Sequence, residues 1–325
     1  MAKKFLIIQT AFVGDVILAT ALIEKLHLHF SDSSITMLVR KGNEGLLVNN
    51  PWLDEVLIWS KKENKLNNLL KLIPEIRKRK FDHVINLQRF AGTGLLTVLS
   101  GAKRTSGFRK NPLSFFYSDK IEHEIGNGRH EVERNQDLIA SITNGKAARM
   151  RLYPSESDFR AVARFHSHPY FTISPGSIWF TKTFPEHKWI ELTALLKGTV
   201  YILGSPSESE LGERIIKANP TAKIINLAGQ LSFLESTALM RDAKMNYVND
   251  SAPLHMAGAI NAPVTAIYCS TVPEFGFGPL SDNSRIVQTT LQLKCRPCGL
   301  HGHQQCPEKH FRCAESIDVN TIQLT

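Results

Sequence analysis

Short β-branched runs alternate with amphipathic stretches along this chain, and the alternation starts twice. Runs of four or five apolar residues separated by helix-length segments are the pattern of βαβ units, so consecutive strands should be parallel with helices crossing back over the sheet. In the first half the pattern predicts strands at 5–9, 35–39, 55–59 and 83–87, with helices over about 16–29, 64–79 and 132–143. The second half predicts strands at 170–174, 200–203, 223–226, 245–248 and 264–268, with helices opening near Pro185, Pro206, Ser232 and Pro253. Proline suits those openings because the first helical position needs no N–H. Residues 144–168 are rich in Arg and Ala, show no clear strand, and read as a linker between domains at 1–150 and 165–325. A chain of 325 residues is long enough for two such α/β domains, each doubly wound around a parallel sheet, with a cleft expected between them. In such sheets ligands bind beyond the carboxyl ends of the strands, which confines the search to loops that follow strands.

Charge narrows the partners. The formal charge of +9 favours something anionic. Lys61, Lys62, Lys65, Lys71, Arg77, Lys78, Arg79 and Lys80 gather on or beside one predicted helix, as a solvated face or as a dock for an anionic lipid surface. No basic helix interleaved with stacking aromatics is present, so nucleic acid is not expected. The apolar run after Lys3-Lys4 is too short for a signal-peptide core, and no apolar stretch reaches membrane-spanning length. The expected location is therefore cytoplasmic.

Three post-strand loops carry the chemistry. The first, Thr10-Ala11-Phe12-Val13-Gly14-Asp15, has one glycine and no lysine, so it is neither a dinucleotide fingerprint nor a Walker A loop. Its carboxylate fits two roles, capping the helix that follows or serving as a general base toward an acceptor hydroxyl. The second runs from Ser174 through Gly176 and Ser177 to Lys182 and Pro185; its small and hydroxyl residues admit a ligand close to the backbone, and Lys182 suits a phosphate oxygen as well as it suits solvent. The third, Asn249-Asp250-Ser251-Ala252-Pro253-Leu254-His255, passes from a strand into a helix N-terminus, which is an anion site or an ordinary cap. His255, one turn in, is a ligand contact or a buried core histidine.

Together these loops resemble the ADP-heptose:lipopolysaccharide heptosyltransferases, glycosyltransferase family 9, over nearly the whole chain. The Gly14-Asp15-Val16 turn is similar to the family's first-loop G-D motif, and Pro175-Gly176 with Lys182-Thr183-Phe184-Pro185 to its P-G and K-x-W-P segment. Asp250-Ser251-Ala252-Pro253-Leu254-His255-Met256-Ala257-Gly258-Ala259 resembles its D-[ST]-G-x-x-H-[LIM]-A-A segment. Phe184, Ala252 and Gly258 depart from the pattern without removing a titrating group.

The resemblance implies the two-Rossmann-domain GT-B architecture, its domains facing across a cleft, with the first binding the acceptor and the second the nucleotide sugar. It further implies inverting transfer of a heptose or related sugar from an ADP-sugar to a lipopolysaccharide core or lipid A-linked acceptor, with Asp15 as base and no catalytic cofactor. Ser174, Gly176, Ser177, Lys182, Asp250, Ser251, Ala252, Leu254 and His255 would form the donor site, and Glu274 would grip sugar or ribose hydroxyls. Thr10, Gly14, Arg89, Arg104 and Arg109 would serve the acceptor, the arginines suiting an acidic or phosphorylated sugar or simply lying on the surface. Peripheral contact with the cytoplasmic face of the inner membrane follows from such an acceptor.

Cys295-x2-Cys298, Cys306 and Cys313 form a C-terminal cluster, read as a structural zinc site or as reduced thiols. His130-Glu131 begins like a zinc-protease motif but meets Arg134 where the second histidine must stand. The missing dinucleotide fingerprint speaks against an oxidoreductase. A nucleotide-sugar epimerase, another nucleotide-sugar transferase and a binding protein without turnover are the remaining rivals.

Overall fold

Strand β1 (Lys4–Ile8) is buried at every position from Phe5 to Ile8, which only a strand covered on both faces tolerates. In the computed structural model, which describes residues 2–323, it sits at the centre of a six-stranded parallel sheet. From β1 the chain enters helix α1 (Val13–His29), then β2 (Ser34–Arg40), β3 (Glu55–Trp59), α2 (Lys65–Arg79) and β4 (His83–Asn86). Helix α3 (Ala91–Val98), β5 (Arg104–Phe108), β6 (Asp119–Ile121) and α4 (Glu131–Asp137) complete the first unit, with sheet order β3-β2-β1-β4-β5-β6. Leu6, Ile8, Leu38, Trp59, Leu72, Ile76 and Val84 pack together as one side of its core.

The chain divides into two units between Tyr153 and Pro154. The second opens with α5 (Glu156–Val162) and continues with β7 (Tyr170–Ser174), α6 (Glu186–Leu195), β8 (Thr199–Ile202), α7 (Ser209–Ala218) and β9 (Ile224–Asn226). Then follow α8 (Phe233–Arg241), β10 (Met245–Asn249), α9 (Ala252–Ala259), β11 (Val264–Tyr268), β12 (Ser284–Gln288), α10 (Arg312–Glu315) and α11 (Val319–Gln323). Its sheet runs β12-β11-β10-β7-β8-β9, all parallel. Each sheet therefore has the same order counted from its own first strand, and the order reverses between β1 and β4 in one and between β7 and β10 in the other. These switch points are where loops diverge to opposite faces and leave room for a ligand.

Several elements differ from the sequence expectation. Strands β5, β6 and β12 were not predicted: β5 reads Arg-Thr-Ser-Gly-Phe, β6 has three residues, and β12 is an edge strand with Ile286 exposed. None has the apolar run that marks a central strand. Helix α5 lies inside the predicted linker because Ser155 and Asp158 cap it reciprocally, the Ser155 N–H donating to Asp158 Oδ2 at 2.7 Å. Helix α4 stops at Asp137, short of the expected 143. Helix α1 begins three residues earlier than predicted, which changes the position of Asp15 within it.

Candidate functional site

Asp15 stands at the third position of α1, and its Oδ2 accepts the Phe12 N–H at 3.2 Å. It does cap the helix, from inside the first turn rather than from the N-cap, where a negative charge also meets the positive end of the helix dipole. Half-buried at the carboxyl end of β1, the carboxylate lies at the switch point of the first sheet. Gly14 precedes it in the same turn, half-buried.

The loop that presents it is braced from three neighbouring strands. Lys61, just past β3, donates to both Thr10 O and Thr10 Oγ1 at 2.8 Å. Asn43, past β2, donates to Ala11 O at 3.0 Å, and Gln88, past β4, donates to Gln9 Oε1. Burial, with Lys65 and Arg40 nearby, lowers the Lys61 amine to about 8. Asn111 in turn donates to Gln88 O at 2.8 Å, and a Cβ on Gly94 would lie 2.4 Å from its Oδ1, so α3 needs glycine there. Thr10 is thus a buried structural anchor.

The arginines separate. Arg104 opens β5 at the amino end of the sheet and pairs with Asp119 through two bonds of 2.6 and 2.9 Å. That corrects its assignment to the acceptor: the strand points it away from the ligand-binding end and the carboxylate occupies it. Arg109 follows β5 at the proper end and pairs with Glu122. Arg89 follows β4, exposed, its guanidinium over the Phe90 ring.

In the second unit, Lys182 Nζ lies 2.6 Å from Asp250 Oδ2, with side-chain exposures of 16% and 7%. Thr271, after β11, donates its hydroxyl to the same oxygen at 2.6 Å. The loops after β7, β10 and β11 thus converge on one carboxylate. Asn249 ties two of them together: its side chain accepts the Phe184 N–H at 3.0 Å and donates to Pro175 O at 2.9 Å and Gly176 O at 3.1 Å. Ser174 is buried and its hydroxyl has no hydrogen-bond partner among the described residues. Gly176 lies against Glu208, whose Oε1 would be 1.5 Å from a Cβ there, so any side chain at 176 would have to displace that carboxylate. Ser177 is half-buried in the same loop.

Helix α9 starts at Ala252, with Ser251 as N-cap and Pro253 contributing no N–H. Its N-terminus opens beside the Lys182–Asp250 pair, the arrangement that receives a phosphate. His255 is buried. Leu254 is corrected: its side chain is fully buried in the core and its N–H is bonded to Ser251 O at 3.0 Å, so neither reaches a ligand. Glu274 lies exposed on a short turn after β11. Asn249, Thr271 and Glu208 were not singled out from sequence; only Glu208 carries a signal, as the far end of a Ser-Pro-x-Glu capping box.

Burial first, then Cys306, Cys295 and Cys298, push the Cys313 thiol up to about 11, and Cys298 is raised by burial and by Cys306 and Cys295. All four are free thiols, and among the described residues no group of three or more His, Cys, Asp or Glu side chains is arranged to hold a metal ion.

With this geometry in place, the comparisons are specific. The sequence profile of glycosyltransferase family 9 (heptosyltransferase) matches residues 69–311. Lipopolysaccharide heptosyltransferase 3 of Escherichia coli is 25% identical over 290 residues, covering 84% of this chain and 85% of its own. The solved structure of the E. coli ADP-heptose lipopolysaccharide heptosyltransferase II superposes with a TM-score of 0.78 at 22% identity, covering 96% of this chain and 97% of that one. E. coli heptosyltransferase WaaC with ADP gives 0.69 at 20% identity, over 87% and 92%. The two six-stranded parallel sheets are the fold of these structures.

Proposed function

The chain belongs to glycosyltransferase family 9 and is a glycosyltransferase; from that premise we propose that it transfers a heptose from an ADP-sugar to a lipopolysaccharide core or lipid A-linked acceptor, with inversion. The observation that carries the donor half is the convergence of Lys182, Asp250 and Thr271 beside the α9 N-terminus at a sheet switch point. A diphosphate seated there meets a lysine whose charge is already held in place, together with the partial positive charge of the helix end. Both stabilise the charge that develops on the leaving nucleoside diphosphate. Ser177 and the Gly176 backbone line the approach, and the relatives' donor, ADP-heptose, matches that chemistry.

Asp15 is the proposed base. It takes the proton of the acceptor hydroxyl as that oxygen forms its bond to the anomeric carbon and the diphosphate oxygen leaves from the opposite face. The half-buried carboxylate at the strand end, held by the Phe12 N–H, supports this role. Arg89, exposed past β4, remains for an acidic acceptor sugar, and Arg109, past β5, would serve it by exchanging Glu122 for the sugar's charge. Asp15→Asn keeps an acceptor oxygen for the Phe12 N–H, so the variant separates capping from base catalysis. Nucleotide binding should be retained while turnover falls roughly 10² to 10⁴-fold, the usual share of a general base. Undiminished turnover in Asp15→Asn removes the assignment, and nucleotide binding without turnover on any acceptor by the unaltered protein favours the binding-protein reading.

Such an acceptor places the protein in the cytoplasm, at the inner-membrane surface. Support comes from the carboxyl-end loops of the first sheet: Phe90, Phe115 and Phe116 are exposed, and Arg89 and Lys110 lie beside them. Among the described residues no helix is long and apolar enough to cross a membrane, so the proposed contact is peripheral.

Cys295, Cys298, Cys306 and Cys313 are proposed as a structural zinc site. Four thiols are the ligand set of a closed tetrahedral centre, which would cross-link the C-terminal segment; binding would have to draw these side chains together, since among the described residues no three are arranged to hold an ion. No metal is assigned to catalysis. Elemental analysis of protein purified without chelator should find roughly one zinc per chain; no metal, or a different one, overturns the proposal.

A further inference from the structure

Between β12 and α10 the chain carries neither helix nor strand, yet Arg296, Cys298 and His303 bond to the loop that carries Lys182 and to the loop after β11 that carries Thr271. Arg296 donates to Cys269 O and Thr271 O, each at 2.8 Å, and to Gln288 Oε1 at 2.7 Å. The Cys298 N–H reaches Ser270 O at 2.8 Å. Farther along, the His303 N–H donates to Thr181 Oγ1 at 2.8 Å while His303 O accepts the Thr181 N–H at 3.1 Å. Ser270 closes the layer, its N–H on Thr181 O at 3.2 Å and its hydroxyl on Thr181 Oγ1 at 3.1 Å. Gly302, at φ +77°, passes so close that a Cβ would lie 2.7 Å from Thr181 Oγ1 and 3.2 Å from Lys182 Cγ.

We infer that residues 296–304 are a positioning strap for the donor site, with Arg296 fixing Thr271 and the Gly302–His303 backbone fixing the Thr181–Lys182 turn. The physical reason is that neither loop is regular structure with its own hydrogen-bond ladder. The Lys182 turn is a single short 3₁₀ segment, and Thr271 follows the end of β11. Their polar backbone groups need partners from elsewhere, and the strap supplies them. Asp250 is therefore addressed from both sides: Lys182 held through Thr181, and the Thr271 hydroxyl held through the carbonyl that Arg296 grips. A preorganised pair costs less to align with a diphosphate than two loose loops would. Arg296 touches neither substrate nor reacting atoms in this scheme.

The inference rests on the donor-site reading, and titration of ADP into the protein tests the two separately. ADP binding by the unaltered protein is the first expectation; its absence removes the donor site and with it the strap. Arg296→Met, which nearly keeps the volume and loses all four guanidinium hydrogen bonds, should weaken ADP by roughly tenfold or more and raise the KM for the nucleotide sugar, with kcat reduced much less. Arg296→Lys should recover part of that affinity, since it can still donate to one or two of the carbonyls. Gly302→Ala strains the strap without touching Arg296 and should weaken ADP in the same direction; it also answers the question if Arg296→Met does not fold. Arg214→Met breaks an exposed pair with Glu186 on the helices and should leave ADP affinity unchanged. Wild-type ADP affinity in folded Gly302→Ala and folded Arg296 variants, or a lowered melting temperature with unchanged affinity, would show that the segment only stabilises the fold.

Discussion

Asp15 and Asp250 show how differently two carboxylates can be read from sequence. Both follow a strand and open a helix, but the partners that define them come from elsewhere in the chain. The Asp250 partners are 68 residues upstream at Lys182 and 21 downstream at Thr271, and only the folded sheet brings them within 2.6 Å. Asn249 is less legible still, since an Asn before Asp-Ser has no signature for bonding both ends of a loop about 65 to 75 positions away. A titrating residue outside the site illustrates the same dependence. His83 opens β4 fully enclosed, its Nε2 2.9 Å from Ser106 Oγ, and burial, with Arg104 adding to it, pulls its pKa from 6.5 to about 4. The unfolded chain takes up this proton as pH falls through 6.5, whereas the folded chain refuses it until about 4. Stability contributed by neutral His83 is therefore complete above the unfolded value and is lost as pH falls from 6.5 toward 4. The urea midpoint of the wild type should accordingly fall relative to that of His83→Gln between neutral pH and pH 5. A wild-type midpoint that holds or rises relative to that of His83→Gln as the pH drops from 7 to 5 contradicts the assignment.

Among the elements, what was legible is the apolar run rather than the place in the sheet: edge strands β3 and β9 were predicted, and internal β5, reading Arg-Thr-Ser-Gly-Phe, was not. Central strands β1, β2, β4, β7, β8, β10 and β11 are apolar runs because helices cover them above and below, and such runs stand out at the level of composition. The two edge strands without such a run are recruited by a neighbour instead: β6 pairs only with β5, and β12 only with β11. Helix α3 escapes sequence reading for a related reason, since its two glycines, weak helix formers, are set by neighbours. Gly94 makes room for Asn111 and Gly92 for the Trp59 ring, where a Cβ would lie 3.0 Å away. The strap over the donor site had no periodicity to find, because its order comes from bonds to other loops. Its cysteines drew notice, but Arg296 and Gly302 did not.

For the whole molecule, the formal charge of +9 acquires meaning only once the paired charges are set aside. The basic run on α2 is partly internal: Arg79 pairs with Glu55, Arg77 donates to Leu99 O at 3.2 Å, and Lys61 braces Thr10. What remains near the carboxyl end of the first sheet combines basic residues with exposed apolar ones. Lys62 and Lys65 accompany Leu66 and Leu70 in and before the first turns of α2, while Arg89 and Lys110 accompany Phe90, Phe115 and Phe116. Phe115 and Phe116 meet at a tilt of 35° with centroids 4.0 Å apart, a compact apolar tip rather than scattered exposure. Attraction to anionic headgroups at roughly 1 kcal/mol per basic residue, plus shallow burial of aromatic rings, suffices for reversible attachment without a spanning segment. Co-sedimentation with phosphatidylglycerol vesicles should accordingly be strong at low salt and fall steeply by about 0.5 M, where screening lengths shrink below the headgroup distance. Phe115→Ser with Phe116→Ser should weaken vesicle binding by roughly tenfold, the free energy of two partly buried rings. ADP affinity, a property of the other unit, should stay unchanged in that variant. Equal binding to uncharged phosphatidylcholine vesicles would remove the electrostatic part of the proposal, and full vesicle binding by the double variant would remove the aromatic part.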